Sequence, residues 1–485
     1  MQKKLTTLLC LATSSLTFAD TTAPVPPLPI LPLTAENQAE QNLNKIIQQT
    51  THNTIQNTNT IEENTKQNNA LHLSSQELVQ KPELLEHALF SSIMLNNVDA
   101  VELLLPLYRQ NTPNKSLLIH LSEAMIARKH GKLGTAIKNY QAALVENENM
   151  PIFKFALAQS LFENKQFLSA QTHFLSLLQE PDLPAPLKHE IQSYLSHIKQ
   201  QQDWSIWGGA NYTQDKNVNN VPDQTDMGNG WKRNEQKEAA HGIAYSAQIS
   251  KDWIFADHWT LQPQLAGYGK SYWDNHKYDD LSARVALGAE YQNARHTLTL
   301  TPFFQNRWYG TKQYSQEVGL ETQWSYWLKP QHRVSLSAEY SHTAHEKQTF
   351  LDGHAYAVSN QWLYFQTPRQ YWNVGSNYTV RDTEHKEHSF KQYGVQLGFT
   401  RQWSKGGFST SHTLSTNWRN YQGIDIFNIM RKDKDYSASF SLWHNKIQYK
   451  GVSPRLVATW YRSDSNHTFY DFSKKNIFVQ WSKSF

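Results

Sequence analysis

Alternating apolar and polar side chains mark the C-terminal part of the chain, as in the segment LSARVALGAEYQNARHTLTLTPFF at 281–304. Leu281 and Val285 share one face of this segment, and Ser282 lies on the other. A period of two is that of a β-strand with one apolar and one polar face. The same period recurs across residues 203–485, so this part of the chain predicts an extensive antiparallel sheet.

The polar breaks between these strands alternate between two sets. One set contains the long breaks at 214–238, 346–353 and 422–434 and shorter ones near residues 274, 310, 385 and 465. The other set is tight throughout, at 255–257, 293–295, 329–331, 367–370, 404–407 and 450–453. The breaks divide the segment into about 14 strands, an even number with short turns at one end and long loops at the other, as in bacterial outer-membrane barrels.

Two structures fit this alternation. In a water-soluble β-sandwich the apolar face forms the core, whereas in a membrane barrel it faces lipid and the polar face lines the lumen. Aromatic residues make up 12% of the chain, and the 16 Trp and 23 Tyr are concentrated after residue 200, which is typical of the aromatic girdles of a barrel. Mean hydropathy is −0.66, and no stretch after the first nineteen residues approaches the ~18 apolar residues of a membrane helix. We therefore expect any membrane crossing to be made by the strands of a closed barrel.

The chain ends in the segment NIFVQWSKSF. Ile477, Val479, Trp481 and Phe485 share one face of this last strand, and the chain stops on the aromatic residue. This arrangement resembles the signal that directs barrels into the outer membrane, although a terminal Phe can also arise by chance. We predict that these four residues form the barrel-insertion signal.

Residues 71–202 show a helical pattern with an internal repeat. The segments at 131–144 and 165–178 align with a spacing of 34 residues, with small residues where helices cross and an aromatic residue one turn later. This is the signature of tetratricopeptide repeats, with generic helical hairpins as the alternative. Residues 96–108 are a candidate third, degenerate copy. The predicted repeat-packing residues are Ala124, Gly131, Ala136, Tyr140, Ala158, Ala170 and Phe174.

The N-terminal seventy residues lack this order. Residues 1–19 carry two lysines, an apolar stretch and a small-residue end, and so predict a secretory signal peptide. The only cysteine, Cys10, lies within it. Residues 20–70 are first Pro-rich and then rich in Asn and Gln, and we interpret them as a linker.

The sequence offers little catalytic chemistry. No nucleophile elbow, metalloprotease helix, phosphate loop or dinucleotide fingerprint is found, so we expect no enzyme activity, cofactor or metal, although a Ser-His dyad on neighbouring strands stays open. The pairs His342/His345 and His385/His388 are spaced by three, which on a strand directs the two rings to opposite faces. Neither pair then forms a bidentate metal clamp unless it lies in a loop, an alternative that stays open for His385/His388, and we expect surface solvation. A formal net charge of +4 over 485 residues gives no indication of a nucleic-acid partner.

Three segments together resemble a known family. They are the two repeats at 118–180, the first strand WSIWGGANYTQDKNVNN at 204–220, and the closing strand pair at 451–485. In the order signal peptide, tetratricopeptide helices and barrel, they resemble the surface lipoprotein assembly modulator family, the outer-membrane component of type XI secretion. The resemblance covers nearly the whole chain, and the linker at 20–70 departs from it.

The resemblance implies an outer-membrane translocator that delivers a client, either a surface lipoprotein or a secreted haemophore-like protein, from the periplasm to the cell surface or medium. The implied partners are this client, outer-membrane lipids and the barrel assembly machinery, with periplasmic chaperones as further candidates. An even strand number returns the C-terminus to the side from which the chain entered, so the helices are expected in the periplasm. The alternatives are a tetratricopeptide-barrel exopolysaccharide exporter and a passive porin.

About 14 strands leave room for a modest lumen that a folded client does not easily pass. Passage of an extended hairpin, or lateral opening between the first and last strands, is a hypothesis compatible with that size.

Overall fold

The structure is a computed structural model that describes residues 78–111, 116–181, 183–222, 236–403, 407–444, 446–449 and 452–484. The predicted signal peptide at 1–19, the predicted linker at 20–70 and Phe485 lie outside the described residues.

The described residues contain seven α-helices, which we call the helical domain. They are α1 (Pro82–Met94), α2 (Val98–Asn111), α3 (Ser116–Lys129), α4 (Leu133–Glu146), α5 (Pro151–Glu163), α6 (Phe167–Leu177) and α7 (Ala185–Gln201). Pro82 and Pro151 lie in the first turns of their helices, where the missing N–H of proline costs no hydrogen bond. Among these described helices, none is long and apolar enough to cross a membrane.

The first six helices form three hairpins, α1–α2, α3–α4 and α5–α6. Each hairpin turns through one residue with positive φ, namely Asn96 at 53°, Gly131 at 68° and Lys165 at 65°. At the second turn, the N–H of Lys132 donates to the carbonyl of Ala127 at 2.8 Å, the bond that closes a helix ending in a left-handed residue. Gly131 and Lys165 are separated by the predicted repeat length of 34 residues.

One apolar cluster fills the space between the helices and extends to α7. The ring of Tyr194 on α7 stacks on the ring of Phe174 on α6, with centroids 4.9 Å apart and planes 13° apart. Because α7 covers the side of the third hairpin that would otherwise be open, it closes the repeat stack at its C-terminal end.

The strands follow directly after α7. They are β1 (Trp204–Asp215), β2 (Ala240–Lys251), β3 (Trp253–Ala256), β4 (Trp259–Tyr272), β5 (Asp280–Gln292), β6 (His296–Tyr309), β7 (Lys312–Lys329), β8 (His332–His345), β9 (Gly353–Thr367), β10 (Gln370–Thr383), β11 (Phe390–Gln402), β12 (Phe408–Tyr421), β13 (Lys432–His444), β14 (Ser453–Ser465) and β15 (Phe472–Ser484).

Fourteen of these strands close into an antiparallel barrel. β1 pairs with β2 and with β15, β2 also pairs with β4, and β4 to β15 pair in chain order. The short strand β3 pairs with β4 at one end of the barrel. The structure confirms the predicted fold class, helical repeats followed by a closed antiparallel barrel of about 14 strands.

The two ends of the barrel differ, as the alternation of breaks predicts. We call the end at which α7 leads into β1 the near end, and the opposite end the far end. The near end carries tight turns such as 293–295 and 330–331. The far end carries the longer connections, four of which contain a turn of 3₁₀ helix, at His276–Tyr278, Thr349–Leu351, Lys386–His388 and Thr468–Tyr470.

Candidate functional site

Every second residue of each barrel strand points into the lumen. On β5, Ser282, Arg284 and Glu290 are buried, whereas Val285 and Leu287 between them are about half exposed. Side chains that point into a barrel are covered by the opposite wall, while those that point outward stay accessible. The polar face therefore lines the lumen, and the apolar face forms the surface that meets lipid.

A central ion pair lies within the lumen. Arg284 on β5 donates from Nη2 to Oε2 of Glu321 on β7 at 3.0 Å, and the two side chains are 4% and 2% exposed. The guanidinium of Arg284 also lies over the ring of Phe303, 3.6 Å from its centroid. Glu339 on β8 stands directly opposite Glu321 across the strand pair. Since water hardly reaches the pair, side chains close the lumen at this level on the side of β5 to β8.

A second charged cluster lies nearer the far end, on β12 and β13. Arg419 donates to Oδ2 of Asp435 at 3.1 Å and lies 3.5 Å from a carboxylate oxygen of Asp433. Arg431 approaches the same Asp433 carboxylate at 2.7 Å, and the hydroxyl of Tyr461 donates to Asp435 at 3.0 Å. Buried charges of opposite sign are held in place by one another, so this cluster is a fixed part of the lumen wall.

Small polar side chains line another stretch of the wall at mid-height. The hydroxyls of Ser337 and Ser359 lie 2.6 Å apart across β8 and β9, and those of Ser415 and Ser437 lie 2.6 Å apart across β12 and β13. All four residues are half-buried. Because serine occupies far less volume than arginine or glutamate, these positions narrow the lumen less than the central ion pair does.

The helical domain contacts the rim of the barrel at the near end. The carboxylate of Asp257, in the turn between β3 and β4, accepts the backbone N–H of Ser169 at 3.0 Å and also the hydroxyl of the same serine. Ser169 lies in the first turn of α6, where backbone N–H groups lack partners within the helix and a carboxylate is favourable. Ile254 on β3 packs against the apolar cluster of the helices.

Two turns of the helical hairpins complete this contact. Gly131 lies beside the guanidinium of Arg295 in the turn between β5 and β6, so close that a side chain added at Gly131 would touch it at 3.5 Å. Burial lowers the pKa of Lys165, in the turn between α5 and α6, while the carboxylates of Glu290 and Glu163 act in the opposite direction. Since Glu290 lies within the lumen, Lys165 stands at the near mouth.

The structure places the predicted repeat-packing residues within the helical domain. The four alanines and Phe174 are fully buried and Tyr140 is 2% exposed, whereas Gly131 is exposed in the turn between α3 and α4. The buried residues are Ala124, Ala136, Ala158, Ala170, Tyr140 and Phe174. Alanine lets neighbouring helices approach closely, which is how these positions contribute to packing.

A polar network crosses the helical domain beside this core. Arg128 on α3 donates to Gln159 at 2.9 Å and to Glu163 at 2.7 Å, both on α5. Gln159 in turn donates to Glu190 on α7 at 3.2 Å. Burial raises the pKa of Tyr140, which lies beside Arg128, to about 12. The network joins the second and third hairpins to α7 through charge-assisted hydrogen bonds.

The predicted insertion signal lies on the outer face of the last strand. Ile477, Val479 and Trp481 are 77%, 43% and 51% exposed, and the fourth member, Phe485, lies outside the described residues. The outer face is where a signal read during insertion has to lie, but their role as a signal stays a prediction.

The histidine pairs occupy different settings. His342 and His345 point to opposite faces of β8, the first exposed and the second buried against Asp352 at 3.1 Å. His385 and His388 lie in a far-end loop around one 3₁₀ turn, where spacing by three does not separate them as a strand would. In the described part of the chain, no group of three or more His, Cys, Asp or Glu side chains is placed to hold a metal ion.

Two family models match the chain. One, described as "Surface lipoprotein assembly modifier", matches residues 204–485, and the other, described as its "N-terminal TPR repeats", matches residues 71–174. The chain belongs to the surface lipoprotein assembly modifier family. The second match also confirms the tetratricopeptide character predicted for the helices.

Relatives of this family align along most of their length. A surface lipoprotein assembly modifier from Pasteurella multocida is 32% identical over 436 residues, covering 85% of this chain and 85% of the relative. A hemophilin secretion modulator from Acinetobacter baumannii is 24% identical over 442 residues, covering 85% and 88%. The crystal structure of the outer membrane channel DcaP of Acinetobacter baumannii aligns with a TM-score of 0.36 at 8% identity, covering 58% of this chain and 96% of that chain.

Sequence reasoning missed the residues that join the two parts of this family member. Asp257 lies in a break that reads only as a tight turn, and Ser169 lies in the helical repeat, 88 residues earlier. A carboxylate in a near-end turn is an ordinary surface feature, so no local signal distinguishes Asp257 from the other turn residues.

Proposed function

We propose that this chain delivers a client protein from the periplasm through the outer membrane to the cell surface or medium. The near end and the helical domain then lie in the periplasm, and the far end faces outside. The observation that carries the proposal is the attachment of a tetratricopeptide domain to the near mouth of a polar lumen, through Asp257 and Ser169. Tetratricopeptide stacks bind proteins on extended surfaces, so this attachment brings a protein-binding surface to the mouth of a membrane passage.

We propose the class of client from the names of the relatives. These names refer to surface lipoproteins and to hemophilin, and a client of one of these kinds is proposed for this chain. The client approaches the near mouth, where Lys165 and Arg295 supply positive charge, and passes along the serine-lined wall of the lumen. Outer-membrane lipids surround the barrel, the barrel assembly machinery inserts it, and periplasmic chaperones are candidate carriers of the client.

We propose transport without a chemical reaction. Two groups of charged side chains in the lumen form ion pairs, Arg284 with Glu321 at 3.0 Å and Arg419 with Asp435 at 3.1 Å, which suits a wall better than a reacting centre. Passage requires that the wall binds the client weakly enough to release it, and charges that are already paired meet this requirement.

The test is co-expression with a tagged client. An epitope-tagged lipoprotein encoded beside the gene for this chain is expressed with the full protein, with a variant lacking residues 71–202, or alone. Tag exposed on intact cells is measured by protease accessibility, and tag in the medium by immunoblot. We expect surface or medium client only with the full protein.

Two other outcomes would identify the alternatives. If the variant lacking residues 71–202 still admits small solutes and the full protein leaves client exposure unchanged, the chain is a porin. If client exposure is unchanged but surface polysaccharide disappears on deletion of the gene, it is a polysaccharide exporter. Heat-dependent gel mobility of each variant shows that its barrel is folded.

A further inference from the structure

The first and last strands of the barrel are joined along only part of their length. Backbone pairing between β1 and β15 covers Trp207–Asn211 and Gln480–Ser484. β1 pairs with β2 over Trp204–Asp215, and β15 pairs with β14 over Phe472–Ser482. Both strands belong entirely to the described residues, so the pairing ends while the strands continue. We call the stretch beyond Asn211 and Gln480 the open seam, and it occupies the half of the junction nearest the far end.

An ion pair bridges the open seam on its lumen side. Nζ of Lys474 on β15 donates to Oδ2 of Asp215 on β1 at 2.9 Å, and the side chains are 6% and 10% exposed. If the register continued, Asp215 would stand opposite Asn476, one lumen-facing position from Lys474. At their far ends the two strands are therefore joined by this side-chain ion pair. Along Trp207–Asn211 they are joined by backbone hydrogen bonds instead.

The outer side of the open seam is unusually accessible. Ile477 is 77% exposed, more than any other large apolar side chain on the described barrel strands, and Tyr212 across the seam is 50% exposed. On the regularly paired strands, outward-facing large apolar side chains such as Val318 are at most 57% exposed. The extra exposure of Ile477 follows from the missing neighbour on the side of β1.

An unpaired strand edge in a bilayer is costly, because lipid offers no hydrogen-bond partner to its backbone groups. Such an edge is also a template on which another strand can add by backbone hydrogen bonds. Its two faces specify the side chains of that strand. The outer face, with Tyr212 and Ile477, requires apolar residues, and the lumen face, with Asp215 and Lys474, requires polar ones.

The number of strands that can be added follows from their directions. β1 and β15 are antiparallel to each other. One added strand would have to run parallel to one of these two edges and antiparallel to the other. Two added strands, joined as a hairpin, can pair antiparallel with both edges and with each other, which is the arrangement of every other junction in this barrel. A β-hairpin is therefore the occupant that continues the sheet.

We propose that the open seam is a lateral gate that receives an amphipathic β-hairpin of the client, with Asp215 and Lys474 as its latch. The proposal rests on the function proposed above and specifies the route. The client hairpin leaves the lumen sideways between β1 and β15 toward the far end. The paired stretch Trp207–Asn211 stays closed and keeps the barrel intact.

Disulfide locking tests the gate. Cys10 is first replaced (Cys10→Ser), and then Tyr212→Cys is combined with Val479→Cys, the residue it would face if the register continued past Asn211 and Gln480. The matched control combines Ile206→Cys with Ile249→Cys, paired positions on β1 and β2 that lie outside the open seam. The control positions are paired and have the separation that a disulfide needs, whereas the seam positions can form one only when β1 and β15 close together.

We expect oxidation of the seam pair to reduce surface delivery of the tagged neighbour-encoded lipoprotein in proportion to the cross-linked fraction, and a reductant to restore it. Cross-linking of β1 to β2 leaves delivery unchanged. Full delivery by the cross-linked seam variant would overturn the gate while leaving the proposed function standing. Absence of delivery by the unlocked Cys10→Ser protein would instead overturn the proposed function itself.

Photo-cross-linking tests the occupant without relying on a disulfide. The substitution Tyr212→p-benzoylphenylalanine places a reactive group at the seam, and Tyr378→p-benzoylphenylalanine places it on β10, where the outward-facing tyrosine is 45% exposed. During delivery we expect an adduct with the tagged client at the seam and none at β10. Equal adducts at both positions, or none at either while delivery proceeds, would refute docking of the client at the seam.

Discussion

The substitution Glu321→Gln removes the negative partner of the central ion pair while keeping nearly the same shape. Arg284 then keeps its charge at 4% exposure and its stacking over the ring of Phe303, 3.6 Å away. The matched change is Glu339→Gln, one strand over. Glu339 directly faces Glu321 across β7 and β8, so a negative charge on both side chains is unfavourable, and this variant removes the second acidic group.

The two substitutions should act in opposite directions. Removing one partner of a buried ion pair costs about 3–5 kcal/mol, because the remaining charge is left without compensation. Glu339 can partly replace Glu321 beside Arg284. We therefore expect Glu321→Gln to lower the free energy of unfolding by about 3 kcal/mol, the lower end of that range. Like charges directly opposite on a sheet destabilise by about 0.2–1 kcal/mol, so Glu339→Gln should stabilise by about 0.5 kcal/mol. The exposed far-end variant Glu384→Gln should be neutral.

Equilibrium unfolding in urea measures these differences. The purified protein in phospholipid vesicles is titrated with urea, and the folded fraction is read from the gel mobility of unheated samples. A double variant, Arg284→Met with Glu321→Met, should recover most of the loss, because replacing both partners by apolar groups is often close to neutral. If Glu321→Gln and Glu339→Gln shift the free energy of unfolding equally, or if the double variant is the least stable, the ion pair does not hold the lumen wall as described.

Three further predictions concern the helical domain and the lumen. Asp257→Ala removes the acceptor of the Ser169 N–H, a half-exposed charged hydrogen bond worth about 1.5 kcal/mol. Hydrogen exchange at the Ser169 amide should therefore accelerate about tenfold. Unchanged exchange would contradict the attachment of the helical domain to the barrel. Burial raises the pKa of Tyr140 from about 10 to about 12, so its contribution to stability is complete below pH 10 and is lost as the pH rises from 10 to 12. The variant Tyr140→Phe should therefore lose less helical circular dichroism than the unchanged protein between pH 10 and 12. Equal loss in the two proteins would contradict the burial of the Tyr140 hydroxyl. Ser439→Trp fills the lumen beside the serine-lined wall and should reduce client delivery, whereas Ala438→Trp on the outer face of the same strand should not; equal effects would place the passage elsewhere.

The order of the parts was predictable because each has its own period. A spacing of 34 residues identified the two hairpins that begin their turns at Gly131 and Lys165, and a period of two identified the strands. The first hairpin was predicted as a degenerate copy, and its turn at Asn96 carries the same positive φ as the other two. Only the turn at Gly131 has the residue that adopts the left-handed conformation without cost, so turn residues alone do not reveal the repeat.

What joins these parts depends on register, which periodicity leaves open. Arg284 and Glu321 are separated by 37 residues and two strand junctions, and each reads only as a polar position on an alternating strand. Their meeting in the lumen follows from the closed barrel, in which every junction shifts the neighbouring strand by a fixed amount. The same holds for Asp257 and Ser169, because nothing local indicates that one turn of the barrel meets one turn of a helix.

The small polar side chains of the lumen wall lead to the open seam. A row of small polar side chains leads around the lumen wall from Ser439 on β13 through Thr459 on β14 to Asn476 on β15, all of them half-buried. Asn476 belongs to the unpaired part of β15, at the edge of the open seam. A chain that follows this row therefore arrives at the strand edge that can pair with it. Passage straight through the far end would instead bring it to the charged cluster around Asp433, whose carboxylate is held by two arginines. The lateral route avoids separating those buried charges, and this favours the seam over the far mouth as the exit.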